Sequence, residues 1–140
     1  ITISTDIICG FPGETEEQFN DSINLIKEIK PDVLNRSRFW PRPGTPAAKF
    51  PDQLHGNITK ERSRKLTSLF EYISFENNKK WKDWTGEIII DEYGKDNTFV
   101  GRNFSYKPVI VSGDLALGDI VRVKVYKPTI FHLKADVIEL

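Results

Sequence analysis

The stretch TDIICGFPGETEEQ, residues 5–18, runs from an apolar strand through a glycine–proline–glycine turn directly into a helix start. Ile7, Ile8 and Cys9 are consecutive apolar residues, the pattern of a parallel strand that is covered on both faces. Thr15 and Gln18 have the spacing of a capping box, in which the two side chains satisfy backbone amides at a helix start. Strand-to-helix junctions of this kind often hold ligands in α/β proteins.

The following residues extend this unit into a strand–helix–strand–helix order. An apolar helical stripe continues to Pro31, a second strand is predicted at residues 32–40, and helical spacing returns at residues 60–84. Short connections between the strands imply a parallel pair with a right-handed crossover. Four prolines and two glycines in residues 40–56 predict an ordered but irregular loop at the carboxyl end of the second strand.

From Thr85 onward the apolar period changes to two, which indicates β-strands. Five short segments with glycine-containing turns predict a small, closed or nearly closed antiparallel barrel: residues 87–91, 98–100, 109–111, 120–126 and 133–138. The predicted fold class is therefore α/β plus all-β, with domains at residues 1–84 and 85–140.

Composition excludes several classes of protein. Twenty basic and twenty acidic residues cancel among 140, so no net charge points to nucleic acid or to a membrane. A single cysteine cannot form an internal disulfide or alone hold an iron–sulfur cluster. The sequence shows neither a secretory leader nor an apolar run long enough to cross a membrane, so a cytoplasmic location is expected.

Two features predict that this sequence belongs to a longer chain. It contains no methionine, and it begins within an expected strand. Two parallel strands with two helices also have too few neighbours to bury their own faces. Residues 1–84 are therefore expected to be the last part of a larger α/β barrel or sheet, whose open edge also allows a dimer.

Several motifs resemble those of a known enzyme family. TDIICGFPGETEEQF (5–19) and FWPRPGTPAAKF (39–50) resemble the carboxyl-terminal part of the radical S-adenosylmethionine (SAM) methylthiotransferases, in particular the archaeal and eukaryotic branch that acts on tRNA. GRNFSYKPVIV (101–111), GDIVRVKVY (118–126) and HLKADVI (132–138) resemble the TRAM domain that ends those enzymes. The resemblance implies the last two β/α units of a radical-SAM partial barrel, followed by an OB-like TRAM barrel.

The resemblance also implies a reaction. In the family, a 4Fe-4S cluster held by CxxxCxxC cleaves SAM to a 5′-deoxyadenosyl radical, and a second 4Fe-4S cluster takes part in sulfur insertion. The substrate in this branch is threonylcarbamoyl-adenosine beside the tRNA anticodon. CxxxCxxC is missing from the sequence. The cluster ligands and catalytic residues are therefore expected on the rest of the polypeptide, and this piece alone is expected to be inactive.

Site residues follow from matching positions. Ile8 would pack on the SAM adenine, Gly10 would give the cofactor clearance, and Arg42 would bind a carboxylate or phosphate unless it holds its own loop by a salt bridge. Glu14 is expected to fix the turn rather than to act in chemistry. Asp6 stands where the family has a glycine.

The resemblance further implies that the terminal barrel helps to hold the tRNA anticodon stem-loop. RNA contacts need cations for phosphates and planar groups for bases. Residues of both kinds, and polar ones between them, occur in two loops: Lys95, Arg102, Asn103, Tyr106 and Lys107. From Thr85 onward seven basic residues face eight acidic ones, so binding requires the cations to cluster on one face.

Two alternatives remain open at this stage. The chain could be a non-enzymatic RNA-binding protein with a TRAM-type barrel, or part of a different radical-SAM enzyme. TRAM domains also end some tRNA and rRNA methyltransferases, so the barrel by itself does not choose among these.

Overall fold

The computed structural model describes residues 2–139, which divide into two compact units. The first unit comprises residues 3–73, and the second comprises Thr2 with residues 74–139. The predicted domain boundary between residues 84 and 85 stays a prediction. The elements, in chain order, are β1 (Ser4–Cys9), α1 (Glu16–Ile29), β2 (Val33–Arg38), a 3₁₀ turn (Pro46–Lys49), α2 (Gly56–Lys79), β3 (Thr85–Tyr93), β4 (Thr98–Arg102), β5 (Pro108–Ser112), β6 (Ile120–Pro128) and β7 (Leu133–Glu139).

The first unit has the predicted strand–helix–strand–helix order. Strands β1 and β2 are parallel, in a register that pairs Ser4 with Val33 and Cys9 with Arg38. The predicted capping box is confirmed: the Thr15 side chain accepts a hydrogen bond from the Gln18 N–H, and the Gln18 side chain accepts one from the Thr15 N–H. The helix ends at Lys30, whose left-handed φ of 46° stops further helical hydrogen bonding.

The parallel pair is buried on one face. Cys9, Phe19 and Leu66 form one core cluster, while Ile26, Leu34, Phe70 and Ile73 form another. On the opposite face Ile8 and Val33 are exposed by 60% and 42%. Within the described residues only one face of the Ile7–Cys9 run is covered, because alternate strand residues point to opposite faces and both helices pack against the same one. Cover on the second face stays a prediction for the longer chain.

In the second unit, strands β3 to β7 form a closed barrel in the order β3-β4-β5-β7-β6, as far as residues 2–139 are concerned. Its strand pairs are antiparallel except β5 with β7, which is parallel. The predicted all-antiparallel barrel is thus wrong in this one respect. Directions cannot alternate around a ring with an odd number of strands, so one neighbouring pair must run the same way.

Alternating apolar residues fill the barrel. The core holds Ile88, Ile90, Val109, Val111, Val121, Val123, Val125, Leu133 and Ala135, all below 5% exposure. Intervening residues on the same strands, such as Arg122 and Lys124, are exposed. In the described part of the chain, each helix is too short or too polar to cross a membrane.

Candidate functional sites

The turn after β1 is held by a buried arginine. Gly10 has a left-handed φ of 81°, and its N–H donates to Oε1 of Glu14 at 3.0 Å. The Arg62 guanidinium, from α2, forms an ion pair with the same carboxylate and donates to the Glu14 carbonyl at 3.0 Å. It also lies 5.3 Å from the Phe19 ring centroid. Glu14 therefore fixes the turn, as expected.

Gly10 is closely packed by the protein itself. It is buried, and a β-carbon placed there would lie 2.4 Å from Cγ2 of Thr59 on α2. This contact and the positive φ explain the glycine without a ligand. The role of Gly10 in giving a cofactor clearance stays a prediction.

Ile8 and Arg42 line one open pocket at the carboxyl ends of β1 and β2. Its volume is about 490 Å³, and its other walls include Ser37, Arg38, Trp40 and Thr45. The Arg42 loop is held by Thr45, whose hydroxyl donates to the Arg42 carbonyl at 2.8 Å. The pocket thus combines apolar and cationic groups at the edge where α/β proteins bind ligands.

Cys9 lies on the other face of β1. It is 1% exposed, and burial, with a smaller contribution from the nearby Glu14 carboxylate, raises the pKa of its thiol above 9.0. A neutral buried thiol is a poor metal ligand and a poor nucleophile. The side chain serves the core.

In the second unit, Asn103 organises the loop between β4 and β5. Its Oδ1 accepts hydrogen bonds from the Ser105 N–H at 3.0 Å and from the Lys107 N–H at 2.9 Å. The Tyr106 N–H donates to the Asn103 carbonyl at 2.8 Å, and Tyr106 has a left-handed φ of 63°. Both Asn103 and Lys107 are buried. As RNA contacts they stay predictions, whereas Asn103 Oδ1 and the Lys107 N–H serve the loop here.

Three side chains of this region form a surface, here called the Arg102 surface: the half-buried Arg102 and the exposed Phe104 and Tyr106. The Arg102 guanidinium lies 5.1 Å from the centroid of the Tyr106 ring. Phe104 and Tyr106 are 81% and 67% exposed. Asp91 accepts a hydrogen bond from Arg102 Nε at 3.0 Å, and Glu92 Oε2 lies 3.8 Å from Arg102 Nη2. These two carboxylates hold the guanidinium in place and offset part of its charge.

Lys95 lies apart from the Arg102 surface. It belongs to the turn that precedes β4, whereas the Asn103–Tyr106 loop follows β4. Five residues of extended strand separate these ends by about 13 Å, at roughly 3.3 Å per residue. The sequence placed the predicted RNA-binding residues in neighbouring loops, but the structure does not bring them to one spot.

Two structural residues were missed by the sequence analysis. Arg62 and Asn78 lie on α2 among many charged and polar residues, and they are only 5% and 3% exposed. Only their position in the sequence indicated burial, because both lie at helical spacing from the apolar residues Leu66, Phe70 and Ile73.

Comparison with known proteins assigns the barrel. The family described as "TRAM domain" matches residues 85–138, the residues that form β3 to β7. The class defined by the fold and by this match is that of TRAM-domain proteins.

Full-length relatives extend the assignment to both units. The chain is 46% identical over 125 residues to the "Probable threonylcarbamoyladenosine tRNA methylthiotransferase" of Archaeoglobus fulgidus, covering 89% of this chain and 29% of the relative. It is 43% identical over 135 residues to the "tRNA-2-methylthio-N(6)-dimethylallyladenosine synthase" of Pelotomaculum thermopropionicum, covering 94% and 30%. The chain belongs to the tRNA methylthiotransferase family and matches the carboxyl-terminal part of these enzymes.

Proposed function

We propose that this chain is the carboxyl-terminal part of a tRNA-modifying enzyme that methylthiolates threonylcarbamoyl-adenosine beside the anticodon. Its α/β unit closes the SAM site, and its TRAM barrel helps to bind the tRNA anticodon stem-loop. The enzyme acts in the cytoplasm. The chain spans 26–32% of the length of the curated relatives compared here, so the activity and partners of the whole enzyme rest on this proposal.

The Arg102 surface is the observation that supports RNA binding. A guanidinium provides a phosphate partner, and the exposed Phe104 and Tyr106 rings provide stacking surfaces for bases. The arginine and the two rings lie within five consecutive residues, so one RNA segment can reach all three. The Arg102 surface therefore brings together one cation, which also pairs with Asp91 and Glu92, and two aromatic rings.

The substrate assignment rests on the relatives' names. Archaeoglobus fulgidus and Pyrococcus abyssi proteins, 46% and 44% identical, are named for threonylcarbamoyladenosine. The Pelotomaculum thermopropionicum protein, 43% identical, is named for dimethylallyladenosine. The higher identities favour threonylcarbamoyl-adenosine. No such names support the dimer that the open sheet edge allows, and it forms no part of this proposal.

The pocket at the β1 and β2 ends fits part of SAM. Ile8 and Trp40, exposed by 60% and 70%, offer apolar surface to an adenine, and Arg42 offers a partner to the carboxylate. When bound to its cluster, SAM would supply the radical chemistry. The residues of this chain would bind and orient the cofactor, while the cluster ligands would lie elsewhere on the enzyme.

Binding to tRNA tests the role of the barrel. The 140-residue chain with Arg102→Ala and Tyr106→Ala should bind tRNA about tenfold or more weakly, with a shallower salt dependence, because one phosphate contact and one stacking contact are lost. Lys127→Ala, which removes an exposed charge from β6, is the matched control. Equal affinity and salt slope in the double variant and the unmodified chain would overturn this role.

Activity tests the enzyme assignment against a non-enzymatic RNA-binding protein. The full-length protein, reconstituted anaerobically with iron and sulfide, should cleave SAM under reducing conditions. Ile8→Asp should raise the SAM concentration needed for half-maximal cleavage, because a carboxylate replaces the apolar contact. A reconstituted full-length protein that leaves SAM intact refutes the enzyme proposal.

A further inference from the structure

An open pocket of about 520 Å³ lies beside the first half of β3, within the second unit. This is the size range of small-ligand sites. Its apolar and aromatic walls come from Trp84, Ile88, Ile89, Phe104 and Ile120. Four further residues offer charged or polar side chains: Thr85, Glu87, Arg102 and Asn103. We call it the β3 pocket.

Aromatic rings line the β3 pocket on one side. Trp84 lies so close to Gly86 that a β-carbon there would be 2.3 Å from its Cζ2 atom. The rings of Trp84 and Phe104 have centroids 6.3 Å apart, and Trp81 packs edge-on to Trp84 at 5.4 Å. Trp81 thus braces Trp84, while Phe104 remains 81% exposed. Such rings give a planar ligand surfaces on which to stack.

The backbone of β3 lines the pocket where β4 has ended. Strand β6 pairs with Thr85–Ile89, whereas β4 pairs with Ile89–Tyr93. The backbone N–H and C=O of Ile90 bond to residues 119 and 118, on the β6 side of β3. Because neighbouring residues of a strand point these groups in opposite directions, the odd-numbered residues direct theirs toward the β4 side. Glu87 therefore presents a donor and an acceptor past the end of β4. This is the edge along which a base can form paired hydrogen bonds.

Asn103 forms part of the pocket wall, with its side-chain amide nitrogen buried. The residue is 5% exposed, and its Nδ2 atom is buried without a hydrogen-bond partner in residues 2–139. Its Oδ1 already accepts from the Ser105 and Lys107 N–H groups, so exchanging the amide ends would set a donor against two donors. The Asn103 side-chain NH2 group has therefore already lost its hydrogen bonds to water. An acceptor that reaches it as the pocket wall opens gains a bond at little further desolvation cost.

We propose that the β3 pocket binds one unstacked RNA base that carries a carbonyl oxygen, with that oxygen accepting from Asn103 Nδ2. Uracil, guanine and cytosine have such an oxygen, and adenine does not. The inference rests on the proposed RNA-binding role of the barrel. A base fits better than a peptide strand because the walls are aromatic, and better than a phosphate because the Glu87 carboxylate, which would repel a phosphate, lines the pocket together with Arg102.

Base preference tests the pocket. Fluorescence anisotropy would compare oligouridylate with oligoadenylate of equal length, for the 140-residue chain and its variants. The unmodified chain should favour uridine, and Asn103→Asp should lower the uridine-to-adenosine affinity ratio about tenfold, the effect of one lost hydrogen bond. Phe104→Leu should weaken both ligands and leave the ratio unchanged. Asn97→Asp, the same chemical change in the exposed β3–β4 turn, is the matched control.

A second measurement does not depend on the variants' folding. In the unmodified chain, the Asn103 side-chain amide resonances should shift with oligouridylate and not with oligoadenylate. An unmoved resonance, or a ratio equal in Asn103→Asp and the unmodified chain, overturns the base pocket. If tRNA still binds in that case, the proposed function stands, whereas a chain that binds no RNA refutes the RNA-binding role as well.

Discussion

Lys107 Nζ lies 2.9 Å from Asn78 Oδ1, and both side chains are buried. Asn78, near the end of α2, also donates through Nδ2 to the Thr129 and Ile130 carbonyls at 2.9 and 3.1 Å. The β4–β5 loop, the end of α2 and the β6–β7 loop are therefore held by one polar network. A buried network of this kind specifies a unique arrangement when its members are satisfied.

Lys107→Met should lower the free energy of unfolding by about 1–3 kcal/mol, because Asn78 Oδ1 loses its buried donor. Urea denaturation measures the change. Lys124→Met removes a charge from the exposed face of β6 and should have an effect within about 0.5 kcal/mol. An equal loss in both variants would show that the Lys107 contact contributes nothing particular.

Arg62→Ala should cost about 3 kcal/mol or more, since it leaves the Glu14 carboxylate, 13% exposed, without its buried partner. Arg64→Ala, two residues along the same helix and exposed, is the control. The double variant Glu14→Gln with Arg62→Met should recover most of the loss, because no unpaired charge remains. Chemical denaturation of the variants would show whether stability tracks the unpaired charge.

Gly10→Ala should destabilise the chain more than Gly44→Ala does. Both glycines have positive φ, 81° and 84°, but a β-carbon at Gly44 meets nothing within 4 Å. Gly44→Ala therefore measures the dihedral cost, about 1 kcal/mol, and the excess at Gly10 measures the clash with Thr59.

Thr59→Ser removes the clashing methyl group. Combined with Gly10→Ala, it should return most of that excess in thermal or urea unfolding. A double variant no more stable than Gly10→Ala alone would contradict the steric explanation.

His132 predicts a loss of stability at acidic pH. Burial, assisted by the charge of Lys134, lowers the pKa of its imidazole below 6.5. As pH falls below 6.5, the unfolded chain takes up this proton before the folded chain does, so the free energy of unfolding falls until the folded-state pKa is passed. Above pH 6.5 the group has no such effect.

The matched variants are His132→Gln and His55→Gln, the latter at an exposed position. The acid-side decline should be reduced in the first and retained in the second. An unchanged pH profile of unfolding in His132→Gln would contradict the assignment.

The sequence predicted the secondary structure of this chain well because its periodicities are local. The capping box at Thr15 and Gln18 and the change of period at Thr85 depend on neighbours within a few residues, and both appear in the structure. The direction of β7 beside β5 was missed. A pairing between residues 109 and 133 is nonlocal and leaves no trace in a two-residue period.

The candidate sites were less predictable for the same physical reason. Asn103 and Lys107 were expected to contact RNA, and Arg62 was not singled out, yet all three are buried. For Lys107 and Arg62 the reason is that a distant element supplies the partner, whereas the partners of Asn103 lie in its own loop. Ile8 and Arg42, in contrast, follow two strands that end together, so their common pocket could be inferred from topology. The sequence alone did not show which polar side chains are buried by tertiary contacts.

The parallel pairing of β5 with β7 also has a consequence for folding during synthesis. Strand β7 lies between β5 and β6, so the barrel cannot close until β7, the last of the five strands in sequence, has left the ribosome. A nascent or truncated chain ending before residue 133 would expose two valine-rich edges, on β5 and β6, to other chains. Premature termination there should yield aggregates rather than a smaller soluble barrel.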